Sequence, residues 1–564
     1  MTFHQRHPAA ARLVVPAVAV GLTVAILAPV LAQRGFVLVY DMVFVPRQPL
    51  LPASLGLGPA LPRAVPADAI VALISTVLPG DLLQKLVLAG SLVAGAVGIA
   101  RLVPTDRVST RLVAAVTYTW NAYVAERLFI GHWTVLVAYG ALPWIVLAGL
   151  AVRRGEARGW PRLVLWMLPT ALGPTGGLLA AGAAIAAVGR RRAAAAAGVV
   201  VVLTAPWWVP SVLRPGSAVS DPAAVAAFAA RGESWGGPVL SVLGLGGIWN
   251  ADVVPASRDS PVTPLVSLLL VGLALWGCRE LAARWGPRPA RAVLLLAALG
   301  VVIGVAGSVP PLDDGLRWAV EHVPGAGLVR DGQRWAAWWA LLVALGVALG
   351  VERLAARVAD PLGRGALLVG AALLPLAVLP DLAWGGAGRL EPVRYPGDWA
   401  AVAAVIAAEP DRGDVAVVPF MTYRAFDWND RRTQLDPAPR LLPATTVVDD
   451  ALPVGRTVIS GEDPRVAGVR AALADGRPLT ELGVGWLLVE HGTPGDVPPT
   501  AGLVERHRGR WVSLYQVDGA RPADEPAPPA APVLVADGLA LLLAGGAVLW
   551  LLLPVSRVGT PERR

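Results

Sequence analysis

The chain is short of charge. Asp, Glu, Lys and Arg make up only 16% of its 564 residues, against 55% hydrophobic, and the mean hydropathy is +0.59. Soluble domains carry about 25% charged residues. A row of soluble domains, the ordinary reading of this length, is therefore excluded. Cysteine is almost absent: Cys278 stands alone, which excludes an intrachain disulfide and a thiolate metal cluster. The six histidines are scattered and form no HExxH or similar metal spacing. No G-X-Y or heptad period is sustained. What remains is a polytopic α-helical membrane protein. The formal net charge of +8 would raise the question of nucleic acid. Here the arginines sit in short loops between apolar runs, so topology explains them and no nucleic-acid partner is expected.

A membrane-spanning helix needs about 20 mostly apolar residues. Ten clear spans are expected at 12–32, 82–100, 112–130, 134–152, 193–212, 262–278, 291–309, 335–351, 365–384 and 530–553. The apolar stretch 163–189 is broken by Gly173-Pro174-Thr175-Gly176-Gly177 and reads as a broken helical hairpin. Arginine clusters at 101–111, 153–162, 190–192, 279–291, 353–364 and in the tail at 557–564 mark the cytoplasmic side. They alternate with the spans only if the hairpin enters and leaves on that side. Both termini are then cytoplasmic in a multi-pass plasma-membrane protein. Val30-Leu31-Ala32 would suit signal peptidase, but the run 12–32 exceeds the roughly 7–15 apolar residues of a cleaved signal. Three regions result: a multi-span domain over 1–384, an extracytoplasmic α/β domain over 385–529, and a final span with its tail over 530–564. Within the outer domain Trp399–Ala408 and Arg465–Asp475 read as helices, the second started by Asp463-Pro464. Val415–Phe420, Trp486–Val489 and Trp511–Val517 read as strands, and the run Pro522–Pro532 as a linker.

Polar groups on the outer side are few, so each is informative. Asp41 is the only ionised group in Gly35–Pro46, GFVLVYDMVFVP. A carboxylate there could be a general base on a sugar hydroxyl, or could simply cap a turn. In Tyr118–Trp133, Glu126, Arg127 and His132 suggest a polar pocket, or a structural ion pair. Trp120, Tyr123 and Trp133 read as an interfacial belt. In Gly325–Trp335, GAGLVRDGQRW, Arg330 and Arg334 stand four apart and would share a helix face. Two guanidinium groups beside a glycine-bearing loop suit a phosphate, and the other reading is lipid-headgroup snorkelling. Trp249 with Asn250, and Trp428 with Asn429, combine an aromatic face with an amide, as a sugar ring requires or as any loop core contains. No metal site is expected.

The stretches VYDMVFVP, NAYVAERLFIGHW, SVLGLGGIWN and LVRDGQRW, with this arrangement of spans, resemble the GT-C superfamily of membrane glycosyltransferases. They look most like the membrane part of actinobacterial α-(1→3)-arabinofuranosyltransferases of cell-wall biogenesis, over residues 1–384. The resemblance implies an inverting transfer of arabinofuranose or mannose from a polyprenyl-phosphate donor to a cell-envelope glycan or glycolipid. It implies that Asp41 is the catalytic carboxylate and that Arg330 and Arg334 hold the donor phosphate. Many such enzymes carry two adjacent acidic residues in the first loop. Here Met42 follows Asp41, which favours a metal-free mechanism without excluding a divalent ion. A lipid or glycolipid transporter, and a non-catalytic glycan-binding partner, are the rival readings.

Overall fold

The computed structural model describes residues 8–58, 60–214, 220–455, 457–461, 463, 465–520 and 527–553, with side chains from residue 13 onward. The arginine tail, Pro464 and the first part of the linker (522–526) lie outside the described residues. Among those described, nine helices are long and apolar enough to cross a membrane. The chain is a multi-pass membrane protein. Nine of the ten expected spans are among these helices. The tenth, 112–130, is two helices, Val108–Thr119 and Ala122–Phe129, broken at Trp120-Asn121. Asn121 caps the second by accepting from Val124 N at 3.0 Å, and its amide donates to the Thr117 and Tyr118 carbonyls that the break leaves open. The stretch 163–189 divides at Gly173, as its Gly-Pro run requires, into Gly159–Met167, a 3-10 turn and Pro174–Val188.

Helix Ala337–Ala355 forms the axis of the bundle, with nearly every residue buried. Between transmembrane helices the gain comes from close packing, which small residues permit. Gly346 and Gly350 face Gly277 on Thr263–Trp285, so closely that a Cβ on Gly277 would lie 1.9 Å from the Gly346 carbonyl oxygen. The axis helix is preceded by the 3-10 turn Gly332–Ala336, which carries Arg334.

The long connecting segments meet at one end of the bundle. Phe36 and Val393 exchange backbone hydrogen bonds, Arg440 pairs with Asp68 at 3.1 Å, and Gln333 donates to the Phe228 carbonyl at 2.9 Å. Arginine-rich loops meet at the other end. Arg284 binds Glu352 and the Pro104 carbonyl, each at 2.9 Å, and Arg353 lies 3.3 Å from Glu280.

Among the described residues the α/β domain near the C-terminus, the outer domain of the expected topology, has nine strands: β1 (Asp414–Val418), β2 (Tyr423–Arg424), β3 (Gln434–Leu435), β4 (Thr446–Val447), β5 (Leu452–Val454), β6 (Thr457–Ile459), β7 (Val484–Glu490), β8 (Val504–Arg508) and β9 (Val512–Gln516). Five form a mixed sheet in the order β4-β1-β7-β9-β8, while β2-β3 and β5-β6 are separate hairpins. The fully buried central strand β7 is apolar on both faces, as a covered strand must be. Val466–Asp475 packs on one face and Gly397–Ala407 on the other. The second face continues into one core with Phe36–Val45 of the first outer loop. The domain thus grows directly out of the membrane part.

Leucine at 277 would meet backbone rather than yielding side chains, at a cost above the roughly 1–3 kcal/mol of ordinary overpacking. Gly277→Leu should lower the melting temperature in detergent by at least about 5 °C. Gly272→Leu, on the same helix with no neighbour within 4 Å of its Cβ position, should not. Equal melting of the two variants would contradict the packing.

Candidate functional site

Asp41 lies in a turn built from both sides. Gln84 brackets Val37, accepting from its N–H at 2.9 Å and donating to its carbonyl at 2.8 Å. Asp41 N donates to the Ile130 carbonyl at 3.1 Å. Gly131 (φ +79°) is required there, since a Cβ would come within 2.3 Å of Met42 N. The next residue is His132. The first loop and the end of helix Ala122–Phe129 are thus locked together, placing His132 Nε2 3.3 Å from Asp41 Oδ2.

Two guanidinium groups flank that imidazole. Arg127 Nη1 lies 3.0 Å from Nδ1, and Arg334 Nη2 lies 3.0 Å from Nε2. Arginine can only donate. With Arg127 on Nδ1 and the acceptor-only Asp41 carboxylate on Nε2, the two contacts together favour Nδ1 as acceptor and the proton on Nε2, facing Asp41. Arg334 then meets an N–H rather than a lone pair. That contact pairs two donors, and an anion's oxygen could take the Arg334 N–H instead. Arg334 is also held by Asp331, Nε to Oδ2, at 2.6 Å.

Burial sorts these groups into support and working face. Arg127 and Glu126 are sealed in, with side-chain exposures of 0% and 1%, whereas Asp41 keeps 35% and Arg334 28%. Arg127 lies over the Tyr123 ring at 5.5 Å; Tyr123 stacks on Tyr139, and Tyr139 on Tyr118. The expected interfacial belt is corrected here. Trp120 and Tyr123 are core residues whose polar tips reach the Leu379 and Arg334 carbonyls at 2.8 and 2.7 Å. Glu126 and Arg127 are likewise foundation rather than the lining of an open mouth, because the outer segments close over them.

Burial raises the pKa of Asp41. Hydrogen bonds from His132 and Tyr423, with the positive surroundings that include Arg334, outweigh it and bring the pKa to about 2. Burial and the charges of Arg334 and Arg127 push His132 down to about 4, against the pull of Asp41. At neutral pH the pair is carboxylate and neutral imidazole. Among the described residues no three His, Cys, Asp or Glu side chains gather as a metal site would need. The neighbours of Asp41 are an imidazole, a phenol and a guanidinium.

The other expected residues fall elsewhere. Arg330 and Arg334 do not share a helix face: Asp331 (φ −88°, ψ 76°) separates two 3-10 turns. Arg330 lies 5.5 Å over the Phe228 ring, against which Trp249 packs edge-on. Asn250 caps a short turn by accepting from Asp252 N at 3.0 Å, and the Tyr40 hydroxyl lies 3.4 Å from Asp252 Oδ2. Trp428 stacks on Phe426, and the fully buried Asn429 donates to the Leu38 carbonyl and to Gln434. Asn429 thus joins the α/β domain to the first loop, while Trp428 stays half-buried with its ring stacked on Phe426. Sequence reading missed Tyr423 of β2, whose hydroxyl donates to Asp41 Oδ1 at 2.6 Å. Nothing local in its sequence announces it.

His132 provides a test. An unfolded histidine titrates near pH 6.5, so between about pH 4 and 6.5 the unfolded chain binds the extra proton. Native stability should rise with pH across that window, by at most about 3 kcal/mol from this group. His132→Gln should flatten the rise in melting temperature between pH 4.5 and 7.5. An unchanged rise would contradict a buried neutral ring.

No family model and no curated protein matches the sequence. Solved structures do. One of arabinofuranosyltransferase AftD from Mycobacteria aligns with a TM-score of 0.55 at 17% identity, covering 89% of this chain and 39% of that one. A mutant of the same protein aligns at 0.51 with 19% identity, covering 89% and 41%. This chain spans about two fifths of the length of those structures. At such identity the likeness concerns the fold alone: a bundle of membrane helices with an α/β domain near the C-terminus, the architecture expected from the sequence.

Proposed function

We propose that this chain is a GT-C-type glycosyltransferase. It moves a sugar, arabinofuranose or mannose, from a polyprenyl-phosphate donor to a cell-envelope glycan or glycolipid. The observation that carries the reading is the pairing of Asp41 and Arg334, the groups of the His132 cluster left open while Arg127 and Glu126 are sealed. One is a carboxylate, the other a part-exposed guanidinium. The loop-rich end of the bundle would face outward, where a lipid-linked donor presents its phosphate at the bilayer surface.

In this reading Asp41 takes the proton of the acceptor hydroxyl as that oxygen attacks the anomeric carbon. The bond from that carbon to the phosphate oxygen breaks, and the phosphate leaves with the electron pair. Attack opposite to departure inverts the configuration. Arg334 meets the charge that grows on the phosphate, the electrostatic share of the rate. His132 and Tyr423 keep Asp41 ionised and oriented. A carboxylate held this low is a weak base in the ground state but is never lost to protonation near neutral pH.

Asp41→Asn is nearly isosteric and should fold normally. With radiolabelled polyprenyl-phosphate sugar its turnover should fall by about 10² or more, as for a lost general base. Normal turnover in a well-folded variant would remove Asp41 from the mechanism.

A fork of two N–H donors suits phosphate, and lysine offers only a point charge. Arg334→Lys should weaken donor use by roughly 1.5–3 kcal/mol. Arg330→Lys, over the Phe228 ring, should cost less. If both lysine variants keep wild-type donor kinetics, the arginines are headgroup anchors. A larger loss at 330 would move the phosphate to that residue.

A further inference from the structure

We infer that Tyr423 is a positioning residue for the Asp41 carboxylate, so that the outer domain is part of the reacting site rather than an appended module. The inference rests on the reading of Asp41 as the base and assigns it a partner 382 residues away.

Two contacts converge on the same short turn. The Tyr423 hydroxyl donates to Asp41 Oδ1 at 2.6 Å, the short distance of a bond to an ionised acceptor. Immediately before Asp41, Tyr40 has φ +39°. A bulky non-glycine residue is rarely found there and stays only where its surroundings hold it. The surroundings are again the outer domain: Tyr40 N donates to the Thr433 carbonyl at 2.6 Å and Leu435 N to the Tyr40 carbonyl at 2.8 Å. Thr433 and Leu435 flank Gln434 in β3, the strand that pairs with β2 and Tyr423. One hairpin therefore holds both the backbone before Asp41 and one oxygen of its side chain.

The hairpin is itself anchored. Arg424, next to Tyr423, is fully buried and paired with Glu490 of β7 and with Asp436 at 2.7 Å. Asn429 ties the hairpin loop to Leu38. Position is thus fixed from the central strand through Arg424 and Tyr423 to Asp41. Oδ1 is taken by the phenol, and Oδ2, which also faces His132 Nε2 at 3.3 Å, has its second lone pair to take the acceptor's proton. The product of that step is a neutral Asp41, with the acceptor oxygen's freed pair bonded to the anomeric carbon.

A phenol that merely fills space would not change the titration of Asp41, whereas a donor to the carboxylate must lower it. The groups facing Asp41 are His132 from the end of the short helix, Arg334 from the turn before the axis helix, and Tyr423 and Arg440 from the outer domain. Only Tyr423 is changed in Tyr423→Phe, which keeps the ring and its edge-on contact with Tyr40.

The test uses the full chain in lipid nanodiscs, with Asp41→Asn alongside. Tyr423→Phe should lower kcat at least about tenfold, as one lost charged hydrogen bond would, and leave the donor KM near wild type. Its acid limb should move upward, toward the ordinary carboxylate range near 4. The carboxyl infrared band that disappears in Asp41→Asn should titrate at the same raised pH, a readout that needs no turnover. Wild-type kcat with an unmoved limb and band in Tyr423→Phe would overturn the inference, and a silent Asp41→Asn would leave the base reading standing. An active Asp41→Asn would overturn the base reading instead. The infrared band would then decide the contact alone: a raised titration keeps it and an unmoved one ends it.

Discussion

A guanidinium sealed inside a protein constrains everything around it. Arg127 has no exposed side-chain surface, and the charge has to be met within the fold. Leaving a buried charge without its partner costs about 3–5 kcal/mol. The aromatic face of Tyr123 and the Nδ1 of His132 meet it, with Glu126 at 3.8 Å. Because arginine only donates and the Asp41 carboxylate only accepts, the two contacts together put the His132 proton on Nε2. That proton faces Asp41. The setting of Asp41, the one carboxylate in Gly35–Pro46, thus depends on a residue that substrate need never touch.

The rest of the bundle brings parts to this point. Glycines between Thr263–Trp285 and the axis helix let backbones approach, and the axis begins just after Arg334. The break at Trp120-Asn121 turns a would-be span into a short helix whose end presents Arg127 and His132. The outer domain closes the turn from the far side through β2 and β3. Three segments, distant in sequence, must all be in place for Asp41 and Arg334 to stand together. A site so composed is rigid behind and open in front, the condition for electrostatic stabilisation without reorganisation.

How much of this the sequence shows depends on the range of the interaction. Spans follow from local apolar length, and the break at Gly173 from Gly-Pro chemistry, so both are legible. The break at Asn121 is not, because Asn121 satisfies the freed carbonyls locally but the Tyr118–Tyr139 pair that lines the break is made across helices. Asp41, His132 and Arg334 stand out singly as polar groups in apolar surroundings, but nothing in the chain says that they meet. Arg330 and Arg334 invited a helical spacing that Asp331 interrupts. Trp428 and Asn429 have the composition of a sugar platform and the burial of a joint. Tyr423 is the clearest case of an illegible residue: a tyrosine in the α/β domain carries no signal until the fold sets it against Asp41.

The central claim is that Arg334, beside His132 and Asp41, receives the donor's phosphate. The most direct measurement is a cryo-EM structure of the full chain in nanodiscs with a polyprenyl monophosphate bound. The account predicts phosphate density within hydrogen-bond reach of Arg334, next to His132, with Asp41 facing the space where the sugar would lie. Phosphate density resting instead against Arg330 and Phe228, or on the arginine-rich end of the bundle, would contradict it.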